Sequence, residues 1–577
     1  MTAMVVSKAR VLSLVLLTLA FTGCGTQKAA DWVFEHGGVY TVDSGRSWAE
    51  ALAVDDGKIV YVGDDAGARA FVGSDTRVVD LEGKMLLPAF IDSHSHPSGA
   101  LIQAVAVPLN DMSTLQEYLD AVQRFAEAHP EKEAIRGSGW SNALFPVTGP
   151  KKEDLDAIVS DRPVQLTSGD AHSSWVNSKA LEMAGITRDT PDPTGGIIER
   201  DPSTGEPSGT LRESASGLVS RVLPSFTMEE RRKGLELYQQ MAAQEGVTTV
   251  RIAAIGLATS VGELDSAELD AFAALEKEGK LTARFRGSLV FAPDDPMERV
   301  SAIAAERERQ KGGLFEIDAA KIFVDGVVEG ETAYLLEPYT HRPDYRGQLL
   351  WDPDHLKKVV TALEKEGLIV HVHSIGDAAT RLTLDAFEAS RKVNGPKDSR
   401  PQITHLQLVT PEDVRRFAEL SIIAVPQPFW FTKGGFYEKI EVPYLGEERA
   451  SHEYPMKSFF DAGVTVASAS DFPVTIPFSP VEGIERGMTR ASRPENPDLV
   501  LGPEERVSLE NMIASFTING AYASRLETVV GSLEVGKTAD LVMLDRNLFE
   551  TPAGEVSDAK VLLTLFGGEE IYRAPEP

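Results

Sequence analysis

With 577 residues, 42% of them hydrophobic and 25% charged, the chain has the make-up of a globular enzyme long enough for a barrel and a smaller domain. Its formal net charge of -30 repels phosphate backbones and excludes nucleic acid as an expected partner. A single cysteine excludes any intramolecular disulfide, so the core alone must hold the fold.

Lys8 and Arg10 precede an apolar run over 11–21, a secretory signal in shape and too short for a comfortable membrane span. The run ends in Phe21-Thr22-Gly23-Cys24, which resembles a bacterial lipobox. The expectation is a signal peptide over 1–23 and an exported protein held to a membrane by lipid on Cys24. Cleavage nearby, releasing a soluble periplasmic protein, is the alternative. Either way the fold begins near Ala30.

Over 32–87 the sequence reads as short strands with turns between them. The stretches 51–54 and 58–62 flank Asp55-Asp56-Gly57, a hairpin with an Asp-Gly turn. A strand-rich piece over 531–545 matches it near the other end. These two ends predict a small β-sandwich domain built from 24–87 and 500–577.

The middle repeats an amphipathic helix, a glycine stop and an apolar strand. The copies run 264–278, Gly279, 281–292; then 354–366, Gly367, 368–373; then 456–462, Gly463, 464–468. A further helix is capped by Thr410 with Pro411 at its first position and leads into an extended 422–425. Such alternation predicts a parallel sheet, and so many repeats predict a TIM (β/α)8 barrel over 88–499. The candidate strands exceed eight by about two. The stretch 101–227 fits the repeat poorly and is read as an insertion over the barrel mouth.

Barrel enzymes keep their active sites at the C-terminal ends of the strands. One apolar strand runs into His94-Ser95-His96, and side chains at i and i+2 of a strand point the same way, so both histidines can grip one ion. His373, His405 and Asp471 each end a further strand. Together they make a site for Zn²⁺ or a similar divalent ion. His371, two residues before His373, reads as core or as support for the site. Arg490 reads as a structural ion pair, with support for the site as the alternative. Trp140, Trp175 and Trp430 either line a pocket or pack in the core.

These stretches resemble the amidohydrolase superfamily, and within it the family 3 branch that includes N-substituted formamide deformylases. The resemblance is carried by Asp80-Leu-Glu-Gly-Lys-Met-Leu-Leu-Pro-Ala-Phe-Ile-Asp-Ser-His-Ser-His96, by Gly169-Asp-Ala-His-Ser-Ser-Trp-Val-Asn-Ser178, by Ala320-Lys-Ile-Phe-Val-Asp-Gly326, by His371-Val-His-Ser-Ile-Gly-Asp377, by Ala469-Ser-Asp-Phe-Pro-Val474 and by the closing stretch 531–545. It implies one or two divalent ions, with Lys321 carboxylated to bridge two of them and His172 facing the substrate carbonyl; the residue-level alternative for His172 is a histidine hydrogen-bonded within the insertion. The residue-level alternative for Lys321 is an ordinary buried lysine paired with Asp325. Ala89, Ala378 and the acidic run after Gly326 depart from the family pattern, which leaves the substrate open.

The chemistry expected of such a site is hydrolysis of a C–N bond in a small amide-type molecule. A divalent ion lowers the pKa of water to roughly 7, Asp471 moves the proton to the leaving nitrogen, and His172 steadies the oxyanion. A cyclic imide or ester substrate is the nearer alternative, and a non-catalytic ligand-binding lipoprotein the more distant one. The sequence leaves the oligomeric state open.

Overall fold

The structure, a computed structural model, describes residues 28–193, 195–256, 266–492 and 496–575; the signal segment expected over 1–23 and Cys24 lie outside them. A seven-stranded parallel sheet forms the centre in chain order: β1 (Phe90–Ser95), β2 (Val247–Ile255), β3 (Arg284–Val290), β4 (Phe315–Phe323), β5 (Ile369–Ser374), β6 (Gln402–His405) and β7 (Ile423–Val425). All residues of β1, β2, β3, β5, β6 and β7 are buried, as strands covered on both faces must be.

The predicted strand over 464–468 closes the ring, but as a single parallel bridge, Ala424 to Val466, rather than a full ladder. Ala467 N–H and Ala469 N–H donate to Ala424 and Pro426 on one side, while Ser93 N–H donates to Ser468 on the other. The ladder breaks because Ser468 gives its own N–H to the Ser515 carbonyl. Asp92 of β1 seals the seam by accepting from Ser470 N–H at 3.0 Å and from the Ser470 hydroxyl. The result is a TIM-like barrel.

The helices follow their sequence signals. Asp352 caps the helix Pro353–Lys365 by accepting from His355 N–H at 2.8 Å, with Pro353 at the first position. Gly367, at φ 80°, supplies the left-handed residue that turns the chain from this helix into β5. Thr410 caps Pro411–Leu420 in the same way, ahead of β7.

Between β1 and β2 the chain builds a six-stranded sheet of its own, with order Gly196–Arg200, Pro207–Glu213, Ser173–Val176, Val164–Ser168, Ile135–Trp140 and Val107–Pro108. Trp140, Trp175, Tyr118 and Leu166 pack into a core separate from the barrel's.

The two chain ends share a second six-stranded sheet, in which Leu541–Leu544 lies between Met85–Pro88 and Val561–Phe566. A four-stranded sheet from 32–80 faces it. Trp32, Phe34 and Leu52 of one sheet share an apolar cluster with Leu86, Leu541 and Leu563 of the other. A buried ion pair between Arg284 of β3 and Asp540 joins these sheets to the barrel.

Candidate metal centre

His94 lies in β1 and His96 follows it; His373 lies in β5, His405 ends β6, and Asp471 follows the closing segment. His405 at φ 75° and Asp471 at φ 58° both occupy the left-handed region, where a non-glycine residue is strained by about 1–3 kcal/mol. The chain thus leaves each of these strands in a sharp turn. Asp471 N–H donates to the His94 carbonyl at 2.8 Å, locking the two ends together.

The Oδ1 atom of Asp471 stands 3.3 Å from Nε2 of His94 and 3.3 Å from Nε2 of His96. It is buried and, among the described residues, has no hydrogen-bond partner. The three ligand atoms lie within 4.8 Å of one another. His405 and His373 stand beside this trio, with ring centroids 4.9 Å apart for His94–His405 and 4.5 Å for His373–His405. An orphaned buried oxygen facing two imidazole nitrogens is costly unless a cation joins them. The donor set suits zinc or a similar divalent ion.

The electrostatics agree with ligation. Burial first, and neighbouring cationic groups second, push the imidazoles of His94, His371, His373 and His405 well below the ordinary histidine range. Each therefore keeps a lone pair at neutral pH. Burial alone would raise the Asp471 carboxyl, but His96, His405 and Lys321 hold it at about 2.

Lys321 of β4 is fully buried and, among the described residues, its Nζ has no hydrogen-bond partner. Burial pulls its ammonium down to about 7. The pairing with Asp325 weighed from sequence does not form. Asp325 instead accepts the backbone N–H groups of Tyr334, Ile375 and Gly376 at 2.9, 3.1 and 2.8 Å.

Above the centre lies a cavity of about 390 Å³. The barrel contributes His373, His405 and Asp471 to its wall; the sheet between β1 and β2 contributes Trp140, Asp170 and His172. His172 donates from Nδ1 to Glu213 Oε2 at 2.8 Å, and its ring lies 5.4 Å from that of His373. Glu213 is held in turn by the Thr332 hydroxyl at 2.7 Å. Burial works against a charged His172, but the adjacent Glu213 outweighs it and raises the imidazole to about 10. His172 is therefore a proton-bearing group, unlike the barrel histidines.

Trp430 stacks on His405, with centroids 5.6 Å apart and planes 10° apart, and lines the cavity as Trp140 does. Trp175 packs only in the separate core that Trp140 shares. Arg490 is buried and bonds the carbonyls of Glu453 and Tyr454 at 2.8 and 3.0 Å, so backbone, rather than the expected ion pair, is what it holds. Glu329 lines the cavity and Glu213 stands behind His172; Glu213 was not singled out from sequence, and Glu329 only as part of the acidic run after Gly326. Glu213 ends a strand, as the barrel ligands do, and that position was the available signal.

Comparison with known proteins fits this geometry. The model of the amidohydrolase family matches residues 77–572. The chain is 32% identical over 545 residues to the protein LONG AFTER FAR-RED 3 of Arabidopsis thaliana, covering 94% of this chain and 92% of that one. It is 28% identical over 548 residues to the N-substituted formamide deformylase of Arthrobacter pascens, covering 93% and 97%. Its fold matches the crystal structure of an uncharacterized metal-dependent hydrolase from Pyrococcus horikoshii OT3 with a TM-score of 0.70 and 25% identity, covering 91% of this chain and 99% of that one. A barrel mouth with two imidazole nitrogens and a carboxylate in ligating array, and a family match over most of the length, agree: the chain belongs to the amidohydrolase family.

Proposed function

We propose that the chain hydrolyses a C–N bond of a small amide at this centre, with His94, His96, His373, His405 and Asp471 holding one or two divalent ions, zinc foremost. The observation that carries the reading is the orphaned Asp471 oxygen facing two imidazole nitrogens beneath a closed-in cavity. A divalent cation supplies Lewis acidity there and lowers the pKa of a water to roughly 7.

The chain's own groups do the rest. Asp471 takes the proton of the attacking water and passes it to the leaving nitrogen. His172, charged and oriented by Glu213, donates to the carbonyl oxygen as negative charge develops there. Trp140 and Trp430 exclude water and flank the apolar part of the substrate. The cavity wall also carries Asp170, Glu329 and Glu441, and among the described residues no lysine or arginine lines it. That charge pattern favours a neutral or cationic amide over an anionic one.

Lys321 enters as a carbamate: its free amine adds CO₂ and releases a proton, turning an unpartnered buried nitrogen into an anionic oxygen ligand. In this reading the terminal sheets form one β-sandwich domain, and 101–227 is an insertion roofing the mouth. The chain is exported and anchored by lipid on Cys24; among the described residues no helix is long and apolar enough to cross a membrane.

The test is turnover of N-substituted formamides and N-acyl amines by the metal-reconstituted protein, read as released amine. Hydrolysis lost in Asp471→Asn with metal retained supports the reading. Turnover of esters alone, with every amide untouched, would sink it.

A further inference from the structure

The path of three hydrogen bonds from the Ala523 carbonyl to His94 has a direction that its end fixes. Ala523 is the last residue of the helix Ile518–Ala523, where the backbone C=O has no partner within the helix. A carbonyl can only accept, so the Gln402 amide, 2.7 Å away, must turn its Nε2 toward it. That places Gln402 Oε1 against His371 Nδ1 at 2.8 Å, and Nδ1 must carry the His371 proton. A neutral His371 then has a bare Nε2. It lies 2.6 Å from His94 Nδ1, which must therefore donate. The lone pair of His94 is left on Nε2, the atom 3.3 Å from Asp471 Oδ1.

Gln402 and His371 are 0% exposed and His94 is 1% exposed, so each relies on its protein partner rather than on bulk water. A reversed amide would set two carbonyls against each other and invert both downstream protons. His94 would then present an N–H, not a lone pair, to the centre.

Two neighbours use shorter versions of the same device. His373 Nε2 donates directly to the Gly326 carbonyl at 3.1 Å. His405 Nδ1 donates to Gln427 Oε1 at 3.1 Å, and Gln427 Nε2 is turned toward the Val425 carbonyl at 3.3 Å and the Thr404 hydroxyl at 3.2 Å. Every path ends on a backbone carbonyl, and such outer partners set which imidazole nitrogen ligates a metal.

We propose that His371 and Gln402 are positioning residues that fix His94 in the tautomer able to bind the metal, the proton direction being set by the Ala523 carbonyl. The proposal rests on the metal-centre reading above. Loss of such a partner costs about 10–100-fold in metal affinity.

The experiment measures zinc affinity by competition with a chromophoric chelator, alongside thermal unfolding of the metal-free proteins. His371→Leu and Gln402→Met should each weaken zinc by about 10–100-fold. His371→Gln should restore most of the affinity, because its amide can accept from His94 and donate to Gln402 at once. If His371→Leu does not fold, Gln402→Met tests the same path one link farther from the metal. Unchanged affinity in Gln402→Met, or equal losses in His371→Gln and His371→Leu, overturns the proposal. A wild-type protein that binds no zinc would instead overturn the metal centre itself.

Discussion

The wall and the roof of the cavity treat histidine in opposite ways. On the barrel wall, His94, His373 and His405 crowd one another, and burial drives their protons off. On the roof, His172 is also enclosed, yet the carboxylate of Glu213 at 2.8 Å keeps it charged up to about 10. The same side chain becomes a lone-pair donor in one place and a proton donor a ring's width away. The wall has a carboxylate too, but Asp471 is faced by several imidazoles at once, whereas Glu213 hydrogen-bonds His172 directly and Asp170 and Glu329 add to its pull.

Breaking the wall should have the largest effect. Asp471→Asn keeps an oxygen for the metal but loses the base, so kcat should fall by about 10²–10⁴-fold with metal content retained, as checked by steady-state kinetics and elemental analysis. Breaking the roof comes next. His172→Gln should lower kcat by about 10²–10³-fold and leave metal content unchanged; loss of metal in that variant would erase the distinction between wall and roof.

Glu213→Gln sharpens the contrast by making His172 resemble the wall. With Glu213 present, His172 stays protonated until pH rises through about 10, so a fall in kcat is expected near there. Without it the fall should move to lower pH, and a full pH–rate profile of both proteins checks the shift. The smallest effect belongs to Trp430→Ala, which removes a ring stacked on His405 from the cavity wall. A severalfold rise in KM with kcat nearly held is expected, since the lost contact serves ground state and transition state alike.

The wall was far more legible in the sequence than the roof. His94, His96, His373, His405 and Asp471 all sit at the ends of apolar strands, and strand ends of a parallel barrel converge whatever the intervening sequence. The helix cap Thr410 was equally readable, being local. Glu213 and Gln402 were not, because each matters through a partner distant in sequence: His172, 41 residues away, and the Ala523 carbonyl, 121 residues away. Asp325 shows the converse. Its spacing from Lys321 left an ion pair open as the alternative to carboxylation, but backbone N–H groups from the turn after β5 claim its carboxylate. The closing strand was placed correctly and over-idealised, since nothing local announces that Ser515 would take the Ser468 N–H.

The most direct test of the account is elemental analysis of the mature protein after reconstitution with zinc, beside a His94→Ala, His96→Ala double variant. The account predicts about one or two zinc ions per wild-type chain and a clear loss in the variant. No bound metal in the wild type, or an unchanged count in the variant, would contradict it.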